Sequence, residues 1–262
     1  MAIKVLLAAA DADETAPERF RREARAVATL AHQNIVTIFD VGELSEGRSY
    51  LVMEFLEGDS VQHRLSTDGA FSTDGAASII HQVAKALGAA HGQGLIHRDL
   101  KPENVMLVNR DGMDDFVKVL DFGLAKRFGE GGDEEQGLTR SGYAMGTPAY
   151  MSPEQIVGPA VDHRADVCAL GMLAYAMICG RPAFHGATSQ EIMISQVRDD
   201  PPAPSSLRPG LPTKVDEVVL KSLSKKPGLR QASVVQFATQ LADALGVVQT
   251  IRDKQATTPI QL

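Results

Sequence analysis

The sequence lacks several features that mark particular classes of protein. It has no excess of basic charge: its 26 lysines and arginines and 33 acidic residues give a net charge of -7, which argues against a nucleic acid or an anionic membrane surface as partner. It shows neither a signal-peptide pattern nor an internal repeat. The longest apolar run, 167–179, is shorter than the about 20 residues that cross a bilayer, so we expect a buried helix and no membrane span.

Cysteine is scarce, since only Cys168 and Cys179 are present and both lie in that apolar run. In a helix, their separation in sequence corresponds to about 16 Å, which is too far for a disulfide. We therefore expect both to be buried apolar residues in a reducing compartment. Together with the missing signal-peptide pattern, this predicts a cytoplasmic protein.

Glycine is absent from the beginning of the sequence, where the first one is Gly42. A glycine-rich loop of the type G-x-G-x-x-G, which cradles nucleotide phosphates, is therefore excluded from this region. No strand–GxGxxG–helix unit occurs later either, which excludes a nucleotide-binding oxidoreductase of that type.

The residues that are present predict a strand-rich front and a helical back. The opening MAIKVLL predicts a strand, 15–31 predicts a helix, and 35–42 and 49–58 predict two more strands rich in β-branched and aromatic residues. Between 95 and 160 the periodicity is lost and short motifs crowd together. Helical periodicity predicts helices at 72–94, 163–180, 188–197, 213–224 and 233–245.

The motifs that carry chemistry are HRDLKPEN at 97–104 and DFG at 121–123. They supply an acid, a lysine and an asparagine close together, with a second acid downstream. This set suits phosphoryl transfer, whose transition state spreads negative charge over the phosphoryl oxygens. With these motifs the sequence closely resembles the protein kinase family, and the resemblance extends over nearly all of the chain.

The resemblance implies a role for each polar residue of the two motifs. Asp99 would accept or orient the proton of the substrate hydroxyl, and Lys101 would sit against the transferring phosphate. Asn104 and Asp121 would hold Mg²⁺, or Mn²⁺ in its place. The implied cofactors are therefore ATP and a divalent metal ion.

The strand lysine of the family matches Lys4, in the sequence AIK, and would grip the α- and β-phosphates of ATP. Glu23, in the following helix, stands where the family places the ion-pair partner of this lysine. For Glu23 alone, a charge on a helix surface among neighbouring arginines is the simpler interpretation. The other motifs favour the ion pair.

The stretch VMEFLEG resembles the gatekeeper and hinge of the family. Met53 would be the gatekeeper, and the backbone groups of Glu54 and Leu56 would bond to adenine. Ala2 and Met106 would pack on opposite faces of the adenine ring. For Met53, Ala2 and Met106, plain packing in the core is a nearly equal alternative to contact with adenine.

Regulation is implied by Arg98, which directly precedes the catalytic acid. In kinases with this pattern, a phosphate in the activation loop commonly pairs with that arginine. The loop offers Thr139 and Ser141 as acceptors of such a phosphate. Thr147 would bond to Asp99 and Lys101 in the catalytic loop (97–104), which is a feature of serine/threonine kinases.

Other matches imply structural roles. Glu154 would pair with Arg230, and Asp166 would hold the backbone of the catalytic loop from below. Four residues would form a regulatory column of stacked side chains: Val27, Ile38, His97 and Phe122. For all four, the packing in the core is itself the implied function.

The implied fold class is α+β, a two-lobed kinase-like fold with a small β-rich lobe and a mostly α-helical lobe. The boundaries are 1–57 for a partial small lobe, 58–245 for the helical lobe and 246–262 for a polar tail. Because no glycine-rich loop precedes Lys4, the first two strands of the family are expected to be missing, and MAIKVLL would be the third strand.

The sequences YMSPEQ and KPENVML are most similar to bacterial serine/threonine kinases of eukaryotic type. The predicted function is transfer of the ATP γ-phosphate to serine and threonine hydroxyls of protein substrates. A homodimer that phosphorylates itself in trans is one assembly open to such an enzyme. The alternative is an impaired kinase fragment or pseudokinase that binds partner proteins: the missing loop favours it, whereas the four intact motif residues favour the enzyme.

Overall fold

The front of the chain forms an antiparallel sheet. The computed structural model describes residues 1–5, 24, 27–44, 48–110, 112–122, 148–158 and 161–247. Within these residues the sheet contains β1 (Ala2–Val5), β2 (Ile38–Glu43) and β3 (Ser49–Met53), in the order β1-β3-β2. The three predicted strands are confirmed, although β2 begins later and β3 ends earlier than the sequence pattern indicates.

The alternation along β1 decides which side chain reaches the interior. Ala2 and Lys4 are half-buried, whereas Ile3 and Val5 are exposed, because successive residues of a strand point to opposite faces. Lys4 lies opposite Leu51 in the register of β1 with β3. The lysine is thus directed away from the face that carries Ile3.

The helix predicted at 15–31 is described only in part. Ala24, Val27 and Ala28 are helical, and Ala24 and Val27 are buried. The chain turns at Thr29, so the helix ends before the predicted residue 31. The helix predicted at 15–31 is thus confirmed at Ala24 and Val27, whereas its predicted end at residue 31 is wrong, and Ala31 is exposed.

A second sheet, which the periodicity of the sequence does not predict, follows the first. It contains β4 (Gly58–Ser60), β5 (Val105–Arg110) and β6 (Met113–Val119), all antiparallel and in that order. The hairpin of β5 and β6 lies in the region where no regular element is expected. At the ends of β5 and β6 that lie nearest the motifs, most side chains are buried on both faces of the strand. Polar and apolar residues therefore do not alternate there.

The rest of the described chain is helical. The buried helix predicted from the apolar run is confirmed, and it contains both free thiols. Cys168 is buried as expected, whereas Cys179, the last residue of this helix, is only partly buried. No helix of the described residues is long and apolar enough to cross a membrane. The helices are α1 (Val61–Thr67), α2 (Thr73–His91), α3 (Pro153–Val157), α4 (Arg164–Cys179), α5 (Ser189–Arg198), α6 (Pro204–Leu207), α7 (Thr213–Ser222) and α8 (Val234–Leu245).

Candidate active site

The hairpin of β5 and β6 brings the two sequence motifs together. Asn104 ends a short 3₁₀ turn directly before β5, and Asp121 follows the end of β6. The N–H of Leu120 donates to the carbonyl of Asn104 at 2.9 Å and so ties the two ends of the hairpin. This bond therefore keeps the two predicted metal-binding residues, Asn104 and Asp121, close together.

Asp99 lies at the centre of a polar cluster in the catalytic loop. The ammonium group of Lys101 is 3.0 Å from its carboxylate oxygen Oδ2. The amide Nδ2 of Asn104 donates to the carbonyl of Asp99 at 2.8 Å and to Oδ2 at 3.3 Å. An acid held by two donors, with its side chain 17% exposed, keeps one orientation while it remains accessible to a substrate.

Lys4 contacts the DFG segment from the small sheet. Its Nζ is 2.5 Å from Oδ2 of Asp121, across 117 residues of sequence. This ion pair is not predicted from the sequence, which indicates Glu23 as the partner of Lys4. Glu23 lies outside the described residues, so that prediction stays a prediction.

A buried carboxylate supports the catalytic loop from below. Asp166, in the first turn of α4, accepts the backbone N–H groups of His97 and Arg98 at 2.8 and 2.9 Å, and it also contacts His91 Nε2 at 2.7 Å. Burial alone would raise the pKa of Asp166, but the hydrogen bonds from the His91 ring and from the His97 backbone contribute to lowering it overall. The predicted role of Asp166 is confirmed, whereas the contribution of His91 is not predicted.

His97 joins the loop to the DFG segment. Its Nε2 lies 2.9 Å from the carbonyl of Leu120, its Nδ1 accepts the N–H of Asp99 at 3.2 Å, and its ring packs 4.6 Å from that of Phe122. One nitrogen must donate and the other must accept, so the ring is the neutral tautomer protonated at Nε2. Burial lowers the pKa of His97, which agrees with this neutral form.

The residues predicted to hold adenine lie on three separate elements. Met53 ends β3 and lies opposite Ala2 of β1, whereas Met106 belongs to β5 in the other sheet. Glu54 and Leu56 follow β3 in the segment between the two sheets. All five are partly exposed, as a lining of a cleft requires, and their contact with adenine stays a prediction.

The side chain of Glu54 makes an ion pair that the sequence analysis does not predict. Its Oε1 accepts from Lys118 Nζ at 2.6 Å and from the N–H of Thr37 at 2.7 Å. Lys118 lies in β6 and is buried. Burial would raise the pKa of Glu54, but these hydrogen bonds lower it overall.

Of the four residues predicted to regulate the site, one lies in the described part of the chain. Arg98 has a φ of +61°, in the left-handed region that is unfavourable for a residue with a side chain. Asp121 shares this feature with a φ of +51°. Thr139, Ser141 and Thr147 lie outside the described residues.

Two other contacts anchor the segment after the motifs. Arg230 makes a bidentate ion pair with Glu154, at 2.6 and 2.8 Å, as predicted. Gln155, which the sequence analysis does not single out, donates through Nε2 to the carbonyl of Arg98 at 2.6 Å. The signal available for Gln155 was its position after Ser152, because a Ser-x-x-Gln spacing is typical of a capping box.

The donor chemistry of the cluster fits magnesium held jointly with a nucleotide. Asn104 and Asp121 offer amide and carboxylate oxygens, which are the ligands that Mg²⁺ prefers. Among the described residues, no group of three or more His, Cys, Asp or Glu side chains could hold a metal by itself. Such a sparse set is usual where phosphate oxygens complete the coordination.

Comparison with known proteins gives one family. The protein kinase domain family matches residues 1–241. The serine/threonine-protein kinase Pkn1 of Myxococcus xanthus is 42% identical over 94% of this chain, and PknB of Mycobacterium tuberculosis is 36% identical over 92% of it. The matched regions span 34% and 38% of those two relatives, so the chain covers well under half of their length.

A solved structure agrees in fold. A double mutant of the kinase domain of PknI from Mycobacterium tuberculosis superposes with a TM-score of 0.71 and is 28% identical to this chain. The superposition covers 93% of this chain and 84% of that structure. The two-lobed α+β architecture expected from the sequence is thus confirmed.

Proposed function

The chain belongs to the protein kinase family, and we propose that it transfers the γ-phosphate of ATP to serine or threonine hydroxyls of protein substrates. The observation that carries this proposal is the cluster in which Lys101 and Asn104 both contact Asp99. Asp121, which lies just after the β5–β6 hairpin that follows Asn104, forms an ion pair with Lys4. The names of the relatives support serine and threonine as acceptors.

In this proposal each side chain acts on a stated atom. The carboxylate of Asp99 orients the substrate hydroxyl and takes its proton as the hydroxyl oxygen attacks the γ-phosphorus in line with the leaving ADP. Lys101 and Lys4 neutralise charge on the γ-phosphate and on the α- and β-phosphates. Bound Mg²⁺, held by Asn104 and Asp121, would supply further positive charge against the phosphate oxygens.

The alternative function is a kinase-like module that binds partner proteins without transfer. In its favour, residues 1–41 contain no glycine, so this stretch does not form the glycine-rich loop whose backbone N–H groups normally cover the phosphates. The retained cluster around Asp99 favours the enzyme, because a binding module has no need of a positioned acid.

The variant Asp99→Asn tests the proposal. Loss of the group that accepts the proton is expected to lower kcat by about 10²–10⁴, with a folded protein. Turnover is measured with ATP, Mg²⁺ and a generic serine/threonine peptide. The matched control is Asp243→Asn on α8, an exposed acid, which should retain wild-type turnover.

Two outcomes contradict the proposal. Wild-type turnover in the Asp99→Asn variant would remove Asp99 from the mechanism. A folded wild-type chain that transfers no phosphate at all would favour the alternative, the binding module.

A further inference from the structure

The peptide bond that leads into Asp99 is held on both of its polar sides. Its N–H, on Asp99, donates to His97 Nδ1 at 3.2 Å, and its C=O, on Arg98, accepts from Gln155 Nε2 at 2.6 Å. The N–H of Arg98 is held separately by Asp166. These three bonds fix the backbone plane from which the side chain of Asp99 departs.

The bond from Gln155 acts where the backbone is least favourable. Arg98 has a left-handed φ of +61°, and a residue with a side chain keeps such a conformation only where its surroundings enforce it. A change at the Arg98 carbonyl would let the peptide plane rotate. Rotation of that plane would displace the carboxylate of Asp99 from Lys101 and Asn104.

The orientation of the Gln155 amide is itself determined. Its Oε1 accepts from both the N–H and the hydroxyl of Ser152, each at 3.0 Å. Ser152 is fully buried and precedes α3 as its N-cap. Since two donors face the oxygen, the nitrogen must be the atom that faces the Arg98 carbonyl.

We propose that Gln155 is a positioning residue for Asp99, acting through the carbonyl of Arg98. It contacts the catalytic loop from a segment 57 residues further along the chain and so links the start of α3 to the acid. The inference rests on the proposed function, which assigns the proton transfer to Asp99. Gln155 thus joins the residues on which the reaction depends, through the N–H donor of its amide and not through the size of its side chain.

Two variants separate the donor from the rest of the side chain. Gln155→Glu keeps an oxygen for Ser152 but places a carboxylate oxygen against the Arg98 carbonyl, which it cannot bond. Gln155→Met removes both polar ends without adding charge. The matched control is Gln236→Glu: Gln236 is also the third residue of a helix, α8, but its oxygen accepts from Ala232, outside the catalytic loop.

The expected result is a loss of kcat without a loss of nucleotide binding. Small displacements of a catalytic group can reduce rates by about 10²-fold, so both Gln155 variants should lose about tenfold to a hundredfold in kcat. KM for ATP should stay within about twofold of wild type, because no predicted ATP contact changes. The control should retain the wild-type kcat at a similar melting temperature.

A second measurement does not need turnover. Amide hydrogen exchange at residues 98 and 99 should be faster in both Gln155 variants than in wild type, and unchanged in Gln236→Glu. Unchanged exchange at these two amides overturns the inference, and so does a retained kcat in an active chain. If exchange increases but wild type transfers no phosphate, the link from Gln155 to the loop is supported and the proposed function fails.

Discussion

At the scale of single residues, the catalytic loop is ordered by buried groups that touch no substrate. Asp166 accepts two backbone N–H groups and contacts His91, and His97 bridges to the carbonyl before the DFG aspartate. A buried carboxylate is tolerated here because its oxygens receive hydrogen bonds that replace those of water. The accessible polar residues can therefore occupy fixed positions without being buried themselves.

The neutral state of His97 makes stability depend on pH. Burial lowers the pKa of His97, and this outweighs Asp166 and the Leu120 carbonyl, which raise it. Below about pH 6.5 the unfolded chain binds a proton at this residue while the folded chain does not, so the free energy of unfolding falls as pH decreases. The contribution of one such residue is at most about 1.4 kcal/mol per pH unit.

The variant His97→Gln tests this dependence by urea unfolding between pH 7.5 and 5.5. Its free energy of unfolding should fall less steeply with decreasing pH than that of wild type. Burial also lowers the pKa values of His32 and His81, so part of the slope should remain. An unchanged slope in His97→Gln, equal to that of the exposed control His63→Gln, would refute the assignment.

At the scale of elements, the β5–β6 hairpin connects the segment between the two sheets to the residues of the DFG motif. Lys118 of β6 pairs with Glu54, and the same strand leads to Asp121. Glu54 also accepts the N–H of Thr37, which precedes β2. The carboxylate of Glu54 thus links the segment between the sheets to β6 of one sheet and to the residue that precedes β2 of the other.

The variant Lys118→Met should destabilise the protein. It leaves the Glu54 carboxylate, whose side chain is 24% exposed, without its cation, and the expected loss is about 1–3 kcal/mol in the free energy of unfolding. Urea unfolding at pH 7 measures it. The double variant Glu54→Gln/Lys118→Met should recover part of the loss, because no charge is then left unpaired.

The control for this prediction is Asp68→Asn. Asp68 pairs with Arg64 on the surface of α1, where an ion pair contributes little. We expect no measurable change in stability for this variant. Equal losses in Asp68→Asn and Lys118→Met would show that burial of the pair around Lys118 has no energetic effect.

At the scale of the whole molecule, β1 is an edge strand of the described part of the small sheet. In the part of the chain that the structure describes, β1 pairs with β3 alone, and its residue Ile3 is 68% exposed. Edge strands of this kind tend to pair with other chains unless they carry charge. The helical lobe, in contrast, buries its longest apolar helix, α4.

We expect Ile3→Lys to reduce association between copies of the chain. A charge on the exposed face of an edge strand opposes strand pairing, and the free energy of unfolding should change by no more than about 0.5 kcal/mol. Light scattering over a range of protein concentrations is the measurement. Ile194→Lys on α5, at an exposed apolar residue of a helix, is the control and should have a smaller effect.

The sequence by itself determined which family the chain resembles and where most of the longer helices lie. Asp99, Lys101, Asn104 and Asp121 could be named as candidates because HRDLKPEN and DFG resemble the short motifs that carry phosphoryl transfer in protein kinases. Regular apolar spacing likewise marked α2, α4, α5, α7 and α8 to within a few residues, whereas the short helices α1, α3 and α6 were not predicted. The β5–β6 hairpin was missed, because strands buried on both faces lack the alternation that identifies a strand.

Only the tertiary structure decided which partners meet across long stretches of chain. The contacts of Lys4 with Asp121, Glu54 with Lys118 and Arg98 with Gln155 join residues 117, 64 and 57 positions apart. Local patterns carry no signal for such pairs, because they relate only residues a few positions apart in the sequence. Packing of the two sheets and α3 around the catalytic loop brings these groups within bonding distance, and so places the acid in its site.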